Sequence, residues 1–127
     1  MITLGILLIL HFMADFVLQN DWMATNKSKN VWALTVHVLV YTGMFAFALL
    51  FIHDSVGLNY YVSWKQFWLF VGMLAGLHFI TDALTSRITS DLWAKGERHW
   101  FFVMIGLDQL LHVWQLIWVA RVCGWGR

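Results

Sequence analysis

Proline is absent from this chain of 127 residues, and cysteine occurs once, at Cys123. A single cysteine excludes a disulfide within the chain and excludes a cysteine-based metal site. Without proline, the chain lacks a common means of breaking a helix at mid-membrane, which counts against a carrier built on discontinuous helices. Charge is scarce as well. Only 12% of residues are charged, about half the usual share for a soluble domain. The formal net charge of +1 makes no case for nucleic-acid binding. The first apolar run has neither a basic leading segment nor a small-residue cleavage site, so it reads as a retained span and not as a signal peptide.

What the chain does have is apolar. Hydrophobic residues make up 61% of it, mean hydropathy is +0.68, and there are nine Trp, ten Phe and three Tyr. A soluble protein of this size cannot bury so much apolar surface. Four runs, residues 1–19, 31–52, 66–85 and 101–122, each come near the roughly 20 residues that cross a bilayer as a helix. Helix is the default, because an isolated strand would leave its backbone groups unpaired in lipid. The expected fold is therefore all-α: a polytopic membrane protein of one domain over residues 1–127, with four transmembrane helices in a compact bundle.

The connectors NDWMATNKSKN, HDSVGLNYYVSWK and SRITSDLWAKGERHW are polar. Aromatic residues mark their edges, where amphipathic rings favour the interface: Trp22, Trp32, Tyr60, Tyr61, Trp64, Trp93, Trp100 and Trp125. The third connector is expected to hold a short interfacial helix around Ile88 to Trp93. Lys27, Lys29, Arg87, Lys95 and Arg98 on one side outnumber Lys65, Arg121 and Arg127 on the other. That bias places the first and third connectors in the cytoplasm and both termini in the periplasm, in a bacterial inner membrane.

Against this background the polar residues inside the spans stand out. Span one carries His11 and Asp15, span two His37 and Tyr41, span three His78 and Asp82, span four Asp108 and His112. Each pair is spaced i, i+4, which puts both side chains on one helix face. At 1.5 Å per residue, the seven His and Asp residues lie roughly 5 to 18 Å from the first- and third-connector boundaries, all in the same half of the membrane. The opposite half is almost free of ionisable groups, with Gln66 and Gln115 its main polar exceptions. Gly72 and Gly76 form a small-xxx-small pair expected to let a neighbouring helix approach beside His78.

Bare aspartates in hydrocarbon cost a few kcal/mol each at least on insertion scales, roughly 3 kcal/mol at a helix centre. Histidines four residues away can satisfy them by hydrogen bonding, which would make the pairs mere staples of the bundle. A divalent metal neutralises them better, and His nitrogen with Asp oxygen suits zinc first, with Mn, Fe, Co or Ni as alternatives. The candidate ligands are His11, Asp15, His37, His78, Asp82, Asp108 and His112. Two ions with one bridging hydroxide would balance three aspartates, the arrangement of a two-metal hydrolytic centre in which metal-bound hydroxide attacks. Gln19, Tyr41 and Gln109 are candidates to hold ligands in place or to touch substrate.

The blocks HFMADFVLQ, His37, HFITD and WFFVMIGLDQLLH, in that order, resemble a family of small bacterial and phage membrane proteins catalogued as domain of unknown function 3307. The likeness runs along nearly the whole chain. The resemblance implies a polytopic membrane protein with these polar residues held in common, and it implies no reaction. Where the family pattern has a lysine three residues after the second HxxxD aspartate, this chain has Thr85. The His/Asp style is also similar to small membrane proteins described as metal-dependent hydrolases.

Three functions follow as expectations. The first is an integral-membrane, metal-dependent hydrolase acting on an amphipathic, phosphate-bearing lipid-like substrate, alone or as a homo-oligomer within membrane lipid. The second is a metal-ion or proton carrier, which would need a route through the dry half. The third is a non-catalytic membrane factor whose His/Asp pairs are structural.

Overall fold

The computed structural model describes residues 2–52 and 63–124. Most of the second connector, with Tyr60 and Tyr61, and also Trp125 and Arg127, lie outside the described residues. The described chain is all-helical. Helix α1 (Ile2–Phe12) continues into a π-helical turn (Met13–Val17). A short helix α2 (Asp21–Asn26) follows, then α3 (Val31–Phe47), which ends in a second π-helical turn (Ala48–Ile52). The long helices α4 (Trp64–Ala94) and α5 (Arg98–Val122) complete the bundle. Helix α4 is the central element, packed along both α3 and α5, and α1 closes against α3 and α5.

Local chemistry explains the boundaries. Asn20 Oδ1 accepts from Met23 N at 2.9 Å and starts α2, and Asn30 Oδ1 accepts from Trp32 N at 2.8 Å and starts α3. Both are side-chain caps on backbone donors that have no partner within the helix. Ser63 and Gln66 form a reciprocal capping box at the start of α4. The Gln66 amide then donates to the Cys123 carbonyl at 3.1 Å, tying the start of α4 to the end of α5. At the other end, Gly96 takes φ +76°, a left-handed conformation that glycine adopts without strain, and the chain reverses into α5. Arg98 braces this turn, donating to the Trp93 carbonyl at 2.9 Å with its guanidinium 3.6 Å above the Trp93 ring.

The packing is inverted relative to a soluble protein. Large apolar side chains face outward, among them Trp68, Ile80, Leu84, Leu110, Trp114 and Trp118, while His37, His78, Asp82 and His112 are at most 1% exposed. A dry core of Tyr41, Phe45, Phe67, Phe70, Leu74, Leu116 and Val119 fills one end of the bundle. Apolar outside and ionisable inside is the arrangement expected of a chain whose surroundings are lipid.

Three expectations change. Three described helices, Val31–Phe51, Trp64–Ala94 and Arg98–Val122, are long and apolar enough to cross a membrane, not four. The first apolar helix, Leu4–Val17, is shorter because its π-helical turn ends at Val17 and the chain turns into the Asn20 cap. The expected interfacial helix around Ile88 to Trp93 is instead the last part of α4, whose 31 residues run unbroken. At 1.5 Å per residue α4 is about 46 Å long, well beyond the hydrocarbon thickness of about 30 Å, so one end projects from the apolar zone. Finally, Gly72 and Gly76 are exposed, and a methyl group added at either would meet nothing within 4 Å. Among the described residues, nothing packs closely against them.

Gly76→Ala should therefore stabilise the bundle in detergent by up to about 1 kcal/mol, the gain in helix propensity. Unfolding curves of parent and variant check this, and a loss of stability would show that the glycine face is packed.

Candidate metal centre

The π-helical turn sets the first ligand. Leu18 N bonds Met13 O at 2.9 Å, an i to i+5 closure that swings Asp15 inward beside α3. Such single π turns inside helices recur at functional sites. His37 comes from α3, and His78 and Asp82 from successive turns of α4. All four are buried.

Four atoms of these residues converge. His37 Nε2 lies 3.0 Å from His78 Nε2, 3.1 Å from Asp15 Oδ1 and 3.0 Å from Asp82 Oδ2. His78 Nε2 lies 3.7 Å from Asp15 Oδ1 and 3.6 Å from Asp82 Oδ2. Bonds of about 2.0–2.1 Å at tetrahedral angles would set ligand atoms about 3.3 Å apart, the middle of this range. Hydrogen bonds alone serve the cluster poorly. At most one proton can lie between the two facing imidazole nitrogens, and the single Nε2 proton of His37 cannot serve His78, Asp15 Oδ1 and Asp82 Oδ2 together. This group can hold a metal ion.

Asp15, Asp108 and His112 form a second group of facing ligand atoms, in which Asp15 Oδ2 and both Asp108 carboxylate oxygens already accept hydrogen bonds. The Gln109 amide donates to Asp15 Oδ2 at 3.0 Å and to Asp108 Oδ2 at 3.1 Å. Carboxylates only accept, so the NH₂ must face them and Oε1 must face His11. His11 Nε2 accordingly donates to Gln109 Oε1 at 3.0 Å, and His11 Nδ1 accepts from the Tyr41 hydroxyl at 2.9 Å. Thr85 donates to Asp108 Oδ1 at 2.6 Å, and His112 Nδ1 donates to the Asp108 carbonyl at 2.9 Å. His112 keeps a free Nε2 lone pair, 3.4 Å from Asp82 Oδ1.

The seven candidate ligands thus meet in one place, and they divide. His78 and His112 ring centres are 4.2 Å apart, and those of His11 and His112 are 6.0 Å apart. Both nitrogens of His11 are engaged, so His11 supports the site from outside it. Tyr41 does the same, with its hydroxyl on His11 and its ring stacked on His78 at 3.8 Å. It is not among the residues lining the cavity beside the site. Gln109 links the two groups. Gln19 lines the cavity, its buried Oε1 without a partner.

Sequence reasoning missed two participants. Lys27, read as one of the basic residues at the connector, places Nζ 2.9 Å from Asp82 Oδ2 and 3.5 Å from His37 Nε2. Only tertiary folding brings the turn after α2 over the middle of α4. Thr85 went unread as a site residue because threonine in a span is ordinary; its one signal was the HxxxDxxT spacing, which puts it on the same face as Asp82.

A cavity of about 490 Å³ opens beside the cluster. Asp15, Asp82 and Asp108 line it at the site, Lys27 and Ser28 come from the first connector, and Ser86 and Ser90 from α4. Phe16, Trp93, Phe101 and Ile105 add apolar wall.

Compared with known families, residues 3–126 match the family described as protein of unknown function, DUF3307. The chain belongs to this family. No curated protein and no solved structure matches it. Membership in DUF3307 brings no reaction with it, so the chemistry of the family in this chain rests on the geometry above.

Tyr41→Phe should cost about 1–3 kcal/mol, because it leaves a buried His11 nitrogen without its donor. Thermal unfolding in detergent checks this. An unchanged midpoint would show that the Tyr41 hydroxyl does not hold His11.

Proposed function

We propose that this protein is an integral-membrane, metal-dependent hydrolase acting on an amphipathic substrate. The observation that carries this reading is the convergence of His37 Nε2, His78 Nε2, Asp15 Oδ1 and Asp82 Oδ2, with each imidazole nitrogen 3.0–3.7 Å from the other three atoms. The cluster lies beside a cavity with both polar and apolar walls. A bound dication there would acidify a water molecule and polarise an ester or phosphoryl oxygen. Zinc fits the mixed nitrogen and oxygen set, as do other first-row ions.

The chain's own residues supply the rest. Gln109 takes Asp15 Oδ2 and leaves Oδ1 to the ion, while Thr85 and Gln109 hold Asp108. One ion suits this site better than two. The amide NH₂ of Gln109 stands on both carboxylates that a second ion would need, and one dication together with the Lys27 ammonium balances three aspartates. Asp15 and Asp82 line the cavity, so water or substrate reaches the ion from that side. Among the described residues, the apolar core of Phe45, Phe67, Phe70, Leu74 and Leu116 fills the opposite half, which favours the hydrolase over a carrier.

In this reading α1 crosses the membrane with the three longer helices as a fourth, thinning the bilayer locally to match its short length. The Lys and Arg excess puts the first and third connectors, and the cavity mouth with them, on the cytoplasmic face of a bacterial inner membrane.

Elemental analysis of protein purified in detergent tests the proposal. The parent should carry close to one equivalent of a transition metal. Asp15→Asn and Asp82→Asn should lose most of it, since an amide cannot supply the charge that holds a dication in a low dielectric. Asp108→Asn should retain it, and chelation should lower the parent's unfolding midpoint. Two equivalents would restore the two-ion centre. No metal in the parent, together with a stabilised Asp82→Asn variant, would leave a bundle stapled by polar pairs.

A further inference from the structure

Lys27 holds an unusual place. Its side chain is 16% exposed and lines the cavity, yet its ammonium rests on Asp82 Oδ2, one of the four converging atoms. A cation at the centre of those atoms would sit about 2 Å from the same oxygen. It would then lie only a few ångströms from Nζ, which is 3.5 Å from His37 Nε2. Two positive charges that close repel strongly away from bulk water. Lysine is the side chain best able to respond, with its charge on a flexible four-carbon stem. The cavity gives it somewhere to go.

The cavity wall suggests what it meets there. With three aspartates at the site, an anion is repelled until cationic charge is added. An ion in the cluster takes up the charge of Asp82 and frees the ammonium, so the net negative charge at that end is cancelled. Ser86 adds a donor: it is 9% exposed, lines the cavity, and its buried hydroxyl has no partner among the described residues. Ammonium and hydroxyl together suit a tetrahedral oxyanion. Phe16, Phe101 and Ile105 on the cavity wall suit a hydrocarbon chain.

Resting on the metal reading, we infer that Lys27 is the substrate-binding residue of this site: when an ion occupies the cluster, its ammonium leaves Asp82 and binds the phosphate monoester head of a lipid. In that position it also faces the negative charge that develops on the phosphoryl oxygens, where a fixed cation is most effective.

The test uses purified, metal-loaded protein in detergent and a short-chain phosphatidic acid as probe, titrated into the parent, Lys27→Met and Lys27→Arg. Metal content is measured first. Lys27→Met should keep its metal and bind the probe about 10- to 100-fold more weakly, the worth of a charge-assisted hydrogen bond. Lys27→Arg should keep most of the affinity. Should Lys27→Met fail to fold, Lys27→Gln makes the same comparison. Undiminished affinity in the uncharged variant overturns the inference, and so does loss of its metal, which would make Lys27 part of the ion site. A parent without metal removes the metal reading itself and is recognised before any probe is added. Inorganic phosphate serves as competitor. Displacement only at large excess supports a lipid head group, and displacement at equal concentration overturns that assignment.

Discussion

Three aspartates buried in an apolar bundle must be neutralised, and much of this structure is arranged around that requirement. A carboxylate in hydrocarbon without a partner is expensive enough to oppose insertion. Asp108 is answered by Thr85 and the Gln109 amide, Asp15 by Gln109 and His37, and Asp82 by Lys27 and His37. These partners come from the turn after α2, from α3, α4 and α5, so the electrostatic requirement is met only by the assembled bundle. The helices are bound to one another by the groups that would otherwise keep them out of the membrane.

Gln109 shows how one residue organises such a network. Its two amide protons can go only to acceptors, so the carboxylates dictate its orientation. Its orientation dictates which nitrogen of His11 carries the proton, and that in turn dictates the direction of the Tyr41 hydrogen bond. A chain of fixed donors and acceptors thereby engages His11, Asp108 and Asp15 Oδ2, while His37 Nδ1, His78 Nδ1 and His112 Nε2 are buried without a hydrogen-bond partner among the described residues.

The asymmetry of the molecule follows from the same division. At one end Phe45, Phe67, Phe70 and Leu74 pack as a dry core. At the other end α4 runs on as far as Ala94, carrying Thr85, Ser86 and Ser90 past the cluster and forming one wall of the cavity. A substrate that reached the site would keep its apolar part near lipid and its polar part near the connectors.

The all-helical character, the apolar spans and the i, i+4 pairs that lie together were legible in the residues, because hydropathy and helical periodicity are local properties of a chain. The helix ends were harder to read. Nothing in MADFV announces a π-helical turn, and nothing in SRITSDLWA says that α4 continues through it, because each depends on what packs alongside. Spacing gathered the seven His and Asp residues onto inward faces but could not rank them. His11 is held on both nitrogens by Tyr41 and Gln109, partners 30 and 98 residues away, and Lys27 was brought to Asp82 across 55. By itself the sequence determined that ionisable side chains would be held inside an apolar helical protein. Only the tertiary structure decided which of their atoms bond one another, since hydrogen-bond satisfaction depends on distance and direction between helices and not on order along the chain.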